Sequence, residues 1–117
     1  MEQSLTVNYK IRNLVTIVRV HGEVDLATTP AFRDALDAGS ARSLIVDLTD
    51  CPYLGTSGLA VLIRAFNKLE GALSVLAPEG SFHRKLLGIA GVDGMLPVFS
   101  SEDDASHWLP GSQYGAS

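Results

Sequence analysis

Ser43–Leu69 reads SLIVDLTDCPYLGTSGLAVLIRAFNKL, and a change of rhythm inside it decides the fold. Leu44-Ile45-Val46 is an apolar run with no alternation, the pattern of a strand covered on both faces. Beyond it the spacing lengthens. Leu59, Leu62, Ile63, Phe66 and Leu69 share one face of a helical repeat, which predicts a helix from about Ser57 to Leu69, ended by Gly71. Between strand and helix stand two adjacent hydroxyls, Thr56 and Ser57, held between Gly55 and Gly58.

The flanking sequence extends the same alternation. Upstream, Ser4 to Tyr9 alternates apolar and polar residues like a half-buried strand, and Asn13 marks a turn. Leu14 to Val20 is a second strand rich in β-branched residues, closed by Gly22-Glu23-Val24-Asp25. Thr28 or Thr29 then caps a helix with Pro30 in its first turn, an apolar face of Phe32, Ala35 and Leu36, and Gly39 as its stop. Downstream, Leu73 to Leu76 is a short strand and Pro78-Glu79-Gly80 a loop. A helix opens at Ser81 with Phe82, Leu86, Leu87 and Ile89 inward, followed by a turn at Gly91 to Gly94 and a strand at Leu96 to Phe99. Ser100 or Ser101 caps a final helix through Trp108, whose first-turn Glu102, Asp103 and Asp104 suit the helix dipole. Gly111 to Ser117 is small and polar, a tail expected to be disordered.

These elements define an α/β domain with a mixed, mostly parallel sheet of four to five strands and about four helices. The first strand is antiparallel to the second because only a short turn joins them. A chain of 117 residues suits a single core. The 46% hydrophobic and 19% charged shares are those of a globular protein, not a disordered one. A net charge of −4, with the basic residues scattered, argues against a nucleic-acid partner. No apolar stretch approaches the roughly 20 residues of a membrane-spanning helix, and no signal peptide opens the chain. Cys51 is the lone cysteine, so it forms no intramolecular disulfide. A cytoplasmic location is expected, with no membrane partner, no metal and no resident cofactor.

Chemistry in open α/β sheets gathers beyond the carboxyl ends of the parallel strands. Glu23 and Asp25 fall there after the second strand, Asp47 and Asp50 close the third, and Thr56-Ser57 begin the following helix. Four readings compete for the hydroxyl pair. Thr56 can be a plain N-cap, contributing about 1 kcal/mol, with Asp25 stabilising its own turn. A nucleophile elbow fails on pattern, since Leu59 stands where Gly-x-Ser-x-Gly requires glycine, and no spacing nominates His21 or His83 as a base. Cys51 reads better as a small hydrophobe than as a catalytic thiol. A phosphate-cradling loop fails as well, because neither a P-loop nor a Gly-x-Gly-x-x-Gly turn is present. The fourth reading is covalent modification: a phosphate at a helix N-terminus meets amides without intrahelical partners and adds about −1.5 to −2 charges beside Glu23 and Asp25.

Taken together, Gly22-Glu23-Val24-Asp25, Leu44-Ile45-Val46-Asp47-Leu48 and Tyr53-Leu54-Gly55-Thr56-Ser57-Gly58-Leu59 resemble the bacterial anti-sigma factor antagonists, single-domain members of the STAS family. The resemblance spans about residues 4 to 108 and implies a STAS domain over 1–110. It implies a non-enzymatic partner switch. The unmodified antagonist binds an anti-sigma factor that is also a serine/threonine kinase and so frees a sigma factor. Phosphorylation at the start of the central helix breaks the complex, and a phosphatase restores it. The family motif reads Asp-Ser-Ser/Thr-Gly-Leu, which puts Thr56 at the acceptor position, Ser57 second, and Gly55 where the family has aspartate. The implied docking surface comprises Glu23, Asp25, Gly55, Thr56, Ser57, Gly58, Val61 and Arg64, with Gly58, Val61, Arg64 and Lys68 expected on the outer side of the helix. Without the aspartate, a scaffold or constitutive antagonist is the alternative. A ligand-sensing or lipid-transport accessory domain is a third reading.

Overall fold

The computed structural model describes residues 5–12, 14–38, 42–81, 83, 85–86 and 96–109. In chain order the elements are β1 (Thr6–Arg12), β2 (Val15–His21), α1 (Thr29–Asp37), β3 (Leu44–Asp47), α2 (Thr56–Lys68), β4 (Leu73–Leu76), β5 (Val98–Phe99) and α3 (Glu102–Trp108). They build one five-stranded sheet in the order β1-β2-β3-β4-β5. β1 is antiparallel to β2, and every later pair is parallel. The hairpin turns through Leu14, which holds a left-handed φ of 69°. The parallel pairs β2–β3 and β3–β4 are linked through α1 and α2, as crossover geometry requires.

All of β3 is buried, and its residues divide between two cores. Leu44 and Val46 join Val18, Val20, Phe32, Leu36 and Leu62 beneath α1 and α2. Ile45 faces the other way, with Val15, Ile17, Leu76, Ala105 and Leu109 beneath α3. Two covered faces explain the absence of alternation in this strand. A fully buried residue such as Phe32 contributes roughly 1.5–3 kcal/mol of hydrophobic stabilisation. Ser101 caps α3 by accepting a hydrogen bond from the Asp104 amide at 3.2 Å.

Three details depart from expectation. Three helices are complete among the described residues, against about four expected; of the helix expected to open at Ser81, His83, Lys85 and Leu86 are helical, while Phe82, Leu87 and Ile89 lie outside the described residues, as do Asn13, Gly39, Gly91 to Gly94 and Gly111 to Ser117. β5 is only Val98–Phe99, shorter than Leu96 to Phe99. Thr28 is the N-cap of α1 but makes no side-chain cap hydrogen bond; Asp25 instead braces the turn ahead of the helix, as described below.

Candidate functional site: the start of α2

The loops that follow β2 and β3 are zipped together. Val24 and Leu54 form a parallel bridge, in which the Val24 amide donates to the Tyr53 carbonyl at 2.8 Å and the Gly55 amide to the Val24 carbonyl at 2.9 Å. This seam places the Asp25 loop beside the first residues of α2. Gly55 is the helix N-cap in an ordinary extended conformation, and Thr56 is the first helical residue. The cap therefore carries no side chain, and Thr56 is not the N-cap that its residue type allowed.

The two hydroxyls differ in their surroundings. Thr56 is exposed, whereas Ser57 is half-buried with its Oγ 2.7 Å from Thr29 Oγ1. Thr29 Oγ1 donates to the Asp25 carbonyl at 2.6 Å, which commits its single proton and leaves it to accept from Ser57. A relay thus runs from Ser57 through Thr29 to the Asp25 backbone. The Asp25 carboxylate is turned into its own loop, where Oδ1 accepts from the amides of Ala27 and Thr28 at 3.0 Å each. Thr28 Oγ1 donates to the Glu23 carbonyl at 2.7 Å and accepts from the Asp25 amide at 2.9 Å. Asp25 is therefore a loop organiser that meets α2 through its backbone, while the Glu23 side chain is exposed beside it.

Gly58 is held by packing. A Cβ there would stand 2.6 Å from both Leu54 Cδ1 and Val24 Cγ1, so its bare backbone allows α2 to close on the Val24–Leu54 seam. Gly55 is held less tightly: a Cβ would meet the Tyr53 ring, with its hydroxyl at 3.2 Å and Cε2 at 3.3 Å, and Tyr53 is partly exposed. A side chain at position 55 would thus have to share its space with the Tyr53 ring.

The expected outer face of α2 needs correction. Val61 is buried at 6% exposure inside the main core, and Gly58 is buried too. The reason lies in α1. Asp37 of α1 receives Arg64 Nη1 at 3.2 Å and Lys68 Nζ at 3.3 Å, so the flank carrying residues 61, 64 and 68 faces α1. These cations hold the Asp37 carboxyl below its ordinary range, Arg64 first by hydrogen bond. Ile63, Phe66 and Leu69 are only partly buried against the core, because covering by both sheet and α1 rotates the apolar stripe toward Val61 and Ala65. Thr56, Ala60, Arg64, Asn67 and Lys68 are the exposed residues of the helix, so Arg64 and Lys68 lie outward as expected while Val61 and Gly58 do not.

Other chemistry-bearing groups are committed elsewhere. Cys51 is buried, its Sγ donates to the Tyr53 carbonyl at 3.2 Å, and burial pushes its thiol pKa up, against a nucleophilic role. His83 is buried with Nε2 bonded to the Cys51 carbonyl, and desolvation lowers its pKa. His21 lies against Asp50. A cleft of about 360 Å³ opens on the α3 side of the sheet, lined by Lys10, Ile17, Arg19, Asp47 and Glu102 among others. Its charged walls pair with one another, Arg19 with Asp47 at 2.9 Å and Lys10 with Glu102 at 3.5 Å. Among the described residues no helix is long and apolar enough to cross a membrane.

Sequence reasoning missed Thr29, Tyr53 and Leu26. Leu26 is 82% exposed at the tip of the Asp25 loop, and an apolar residue in a polar loop was the available signal. Thr29 left none, because its partner Ser57 is 28 positions away.

A mixed sheet crossed by α1 and α2, with exposed Thr56 opening the central helix over a Gly58-packed seam, defines the class. The chain belongs to the STAS domain family, which matches residues 6–105. It is similar to the anti-sigma-F factor antagonist RsfB of Mycobacterium tuberculosis, 29% identical over 106 residues, 87% of each chain. It is 31% identical over 90 residues to the anti-sigma-B factor antagonist of Listeria monocytogenes, covering 73% of this chain and 79% of that one. Among solved structures it resembles an anti-sigma factor antagonist from Mycobacterium paratuberculosis, with a TM-score of 0.81 and 31% identity over 91% of this chain and 94% of that one.

Proposed function

We propose that this chain is an anti-sigma factor antagonist that works by partner switching. It binds an anti-sigma factor kinase through the Asp25 loop and the first turn of α2, and thereby frees a sigma factor. Phosphorylation of Thr56 ends the complex, and a phosphatase restores it. The chain performs no catalysis itself and acts in the cytoplasm.

The observation that carries this reading is the unequal state of the two hydroxyls. Ser57 is tied to Thr29, while Thr56 is exposed at the first helical position. The first turn of α2 holds no acidic side chain, so a phosphate on Thr56 would meet the positive end of the helix dipole without a carboxylate from that turn. Its added charge would lie beside exposed Glu23, on the surface offered to the partner. Incubation with the cognate kinase, ATP and magnesium, followed by mass spectrometry, tests this directly. Phosphate at Thr56 is expected, and its absence from both Thr56 and Ser57 would sink the switch.

Gly55 favours a second reading. With glycine where the family has a carboxylate, and the Tyr53 ring beside it, the chain would be a constitutive antagonist or scaffold. Binding would then be indifferent to Thr56→Glu.

A further inference from the structure

We propose that β1 is a self-association edge, through which two copies of this chain join their sheets antiparallel about Tyr9. Among the described residues β1 pairs with β2 alone, so its other side is an open edge seven residues long. Such an edge carries a row of amides and carbonyls directed away from the sheet, a template for another strand. Its side chains are unusual for a protected edge. Tyr9 donates to the Ala35 carbonyl at 3.2 Å, which places it on the α1 side, and alternation puts Val7 and Ile11 with it. Tyr9 is 51% and Ile11 76% exposed. Lys10 and Arg12, the charges that could guard the edge, lie on the opposite face and are drawn onto Glu102 of α3.

The second copy is the occupant because the strand is complementary to itself. Two β1 strands overlap over their whole length only when centred on Tyr9. That register sets Tyr9 against Tyr9, Ile11 against Val7, Lys10 against Asn8 and Arg12 against Thr6. One face becomes an unbroken apolar ladder, and no cation opposes a cation on the other. Sliding the centre to Lys10 puts Lys10 against itself, and centring on Ile11 puts Lys10 against Arg12, both penalised by like charge. In the favoured register the two β2 strands run in opposite directions. The two Thr56 sites therefore lie at opposite ends of the joined sheet, and each stays open to a partner.

Sedimentation velocity on the full chain over a concentration series tests this, with Ile11→Lys as the variant. Ile11 is exposed in the single chain, so circular dichroism should be unchanged while the dimer dissociation constant rises at least about tenfold. Single-cysteine substitutions test the register. Residues 9 of two copies would face each other about 4.5–5.5 Å apart, within disulfide range, whereas residues 11 would stand about 13 Å out of register. Tyr9→Cys should cross-link under mild oxidation and Ile11→Cys should not. A monomer at every concentration, an unchanged dimer in Ile11→Lys, or equal cross-linking at both positions would overturn the proposal. The sedimentation comparison does not depend on the cysteine variants.

Discussion

Ser57 Oγ and Thr29 Oγ1 lie 2.7 Å apart, and through Thr29 the start of α2 is tethered to the backbone of Asp25. The tether separates two neighbouring hydroxyls that look equivalent in sequence. It predicts that Ser57→Ala costs about 1 kcal/mol of stability, the usual net value of one hydrogen bond. Urea denaturation should register that loss while phosphate still maps to Thr56. Loss of phosphorylation in Ser57→Ala would show that the tether does not sort the hydroxyls.

Gly58 sets two opposing effects against each other. Alanine would gain about 1 kcal/mol of helix propensity. Its Cβ would also press on Leu54 and Val24 at 2.6 Å, both fully buried and joined in a backbone bridge, with an overpacking cost of roughly 1–3 kcal/mol. The clash should prevail, because β-branched Val24 has little rotamer freedom in which to yield. Gly58→Ala is expected to lower the thermal midpoint; an unchanged or raised midpoint would contradict this packing account.

Gly55 should accept a carboxylate. Its φ of −86° suits any residue, and only the partly exposed Tyr53 ring must move by a few tenths of an ångström. Gly55→Asp should therefore fold normally and be phosphorylated at Thr56 faster than the parent chain. Initial rates with the same kinase check this, and a slower rate would mean that Tyr53, not a carboxylate, suits this site.

His83 makes stability depend on pH. Burial lowers its folded pKa beneath the ordinary 6.5, so the unfolded chain binds more protons as acid is added. Its contribution is complete above 6.5 and is lost as pH falls through the lowered folded value. Urea midpoints over about pH 5 to 8 should decline toward acid, and His83→Gln should flatten the part of that slope due to this group.

Much of the fold was legible where one element's sequence carries its own environment. The unbroken Leu44-Ile45-Val46 run announced two covered faces, and Ser101 announced the start of α3. The errors arose where a second element intervened. Val61 falls on the outer flank of α2 by periodicity alone, but α1 lies against that flank and Asp37 draws Arg64 and Lys68 over it. The position of Thr56 followed from its block of sequence. Its distinction from Ser57 did not, because that depends on Thr29 across the seam.

Charge at residue 56 is the core of the account, and it can be imposed without the kinase reaction. Calorimetric binding of the anti-sigma factor to Thr56→Ala and Thr56→Glu compares a neutral with a charged first turn. The partner-switching account predicts parent-like affinity for the alanine variant and at least about a tenfold weaker complex, some 1.4 kcal/mol, for the glutamate variant. Equal affinity of the two variants would contradict it.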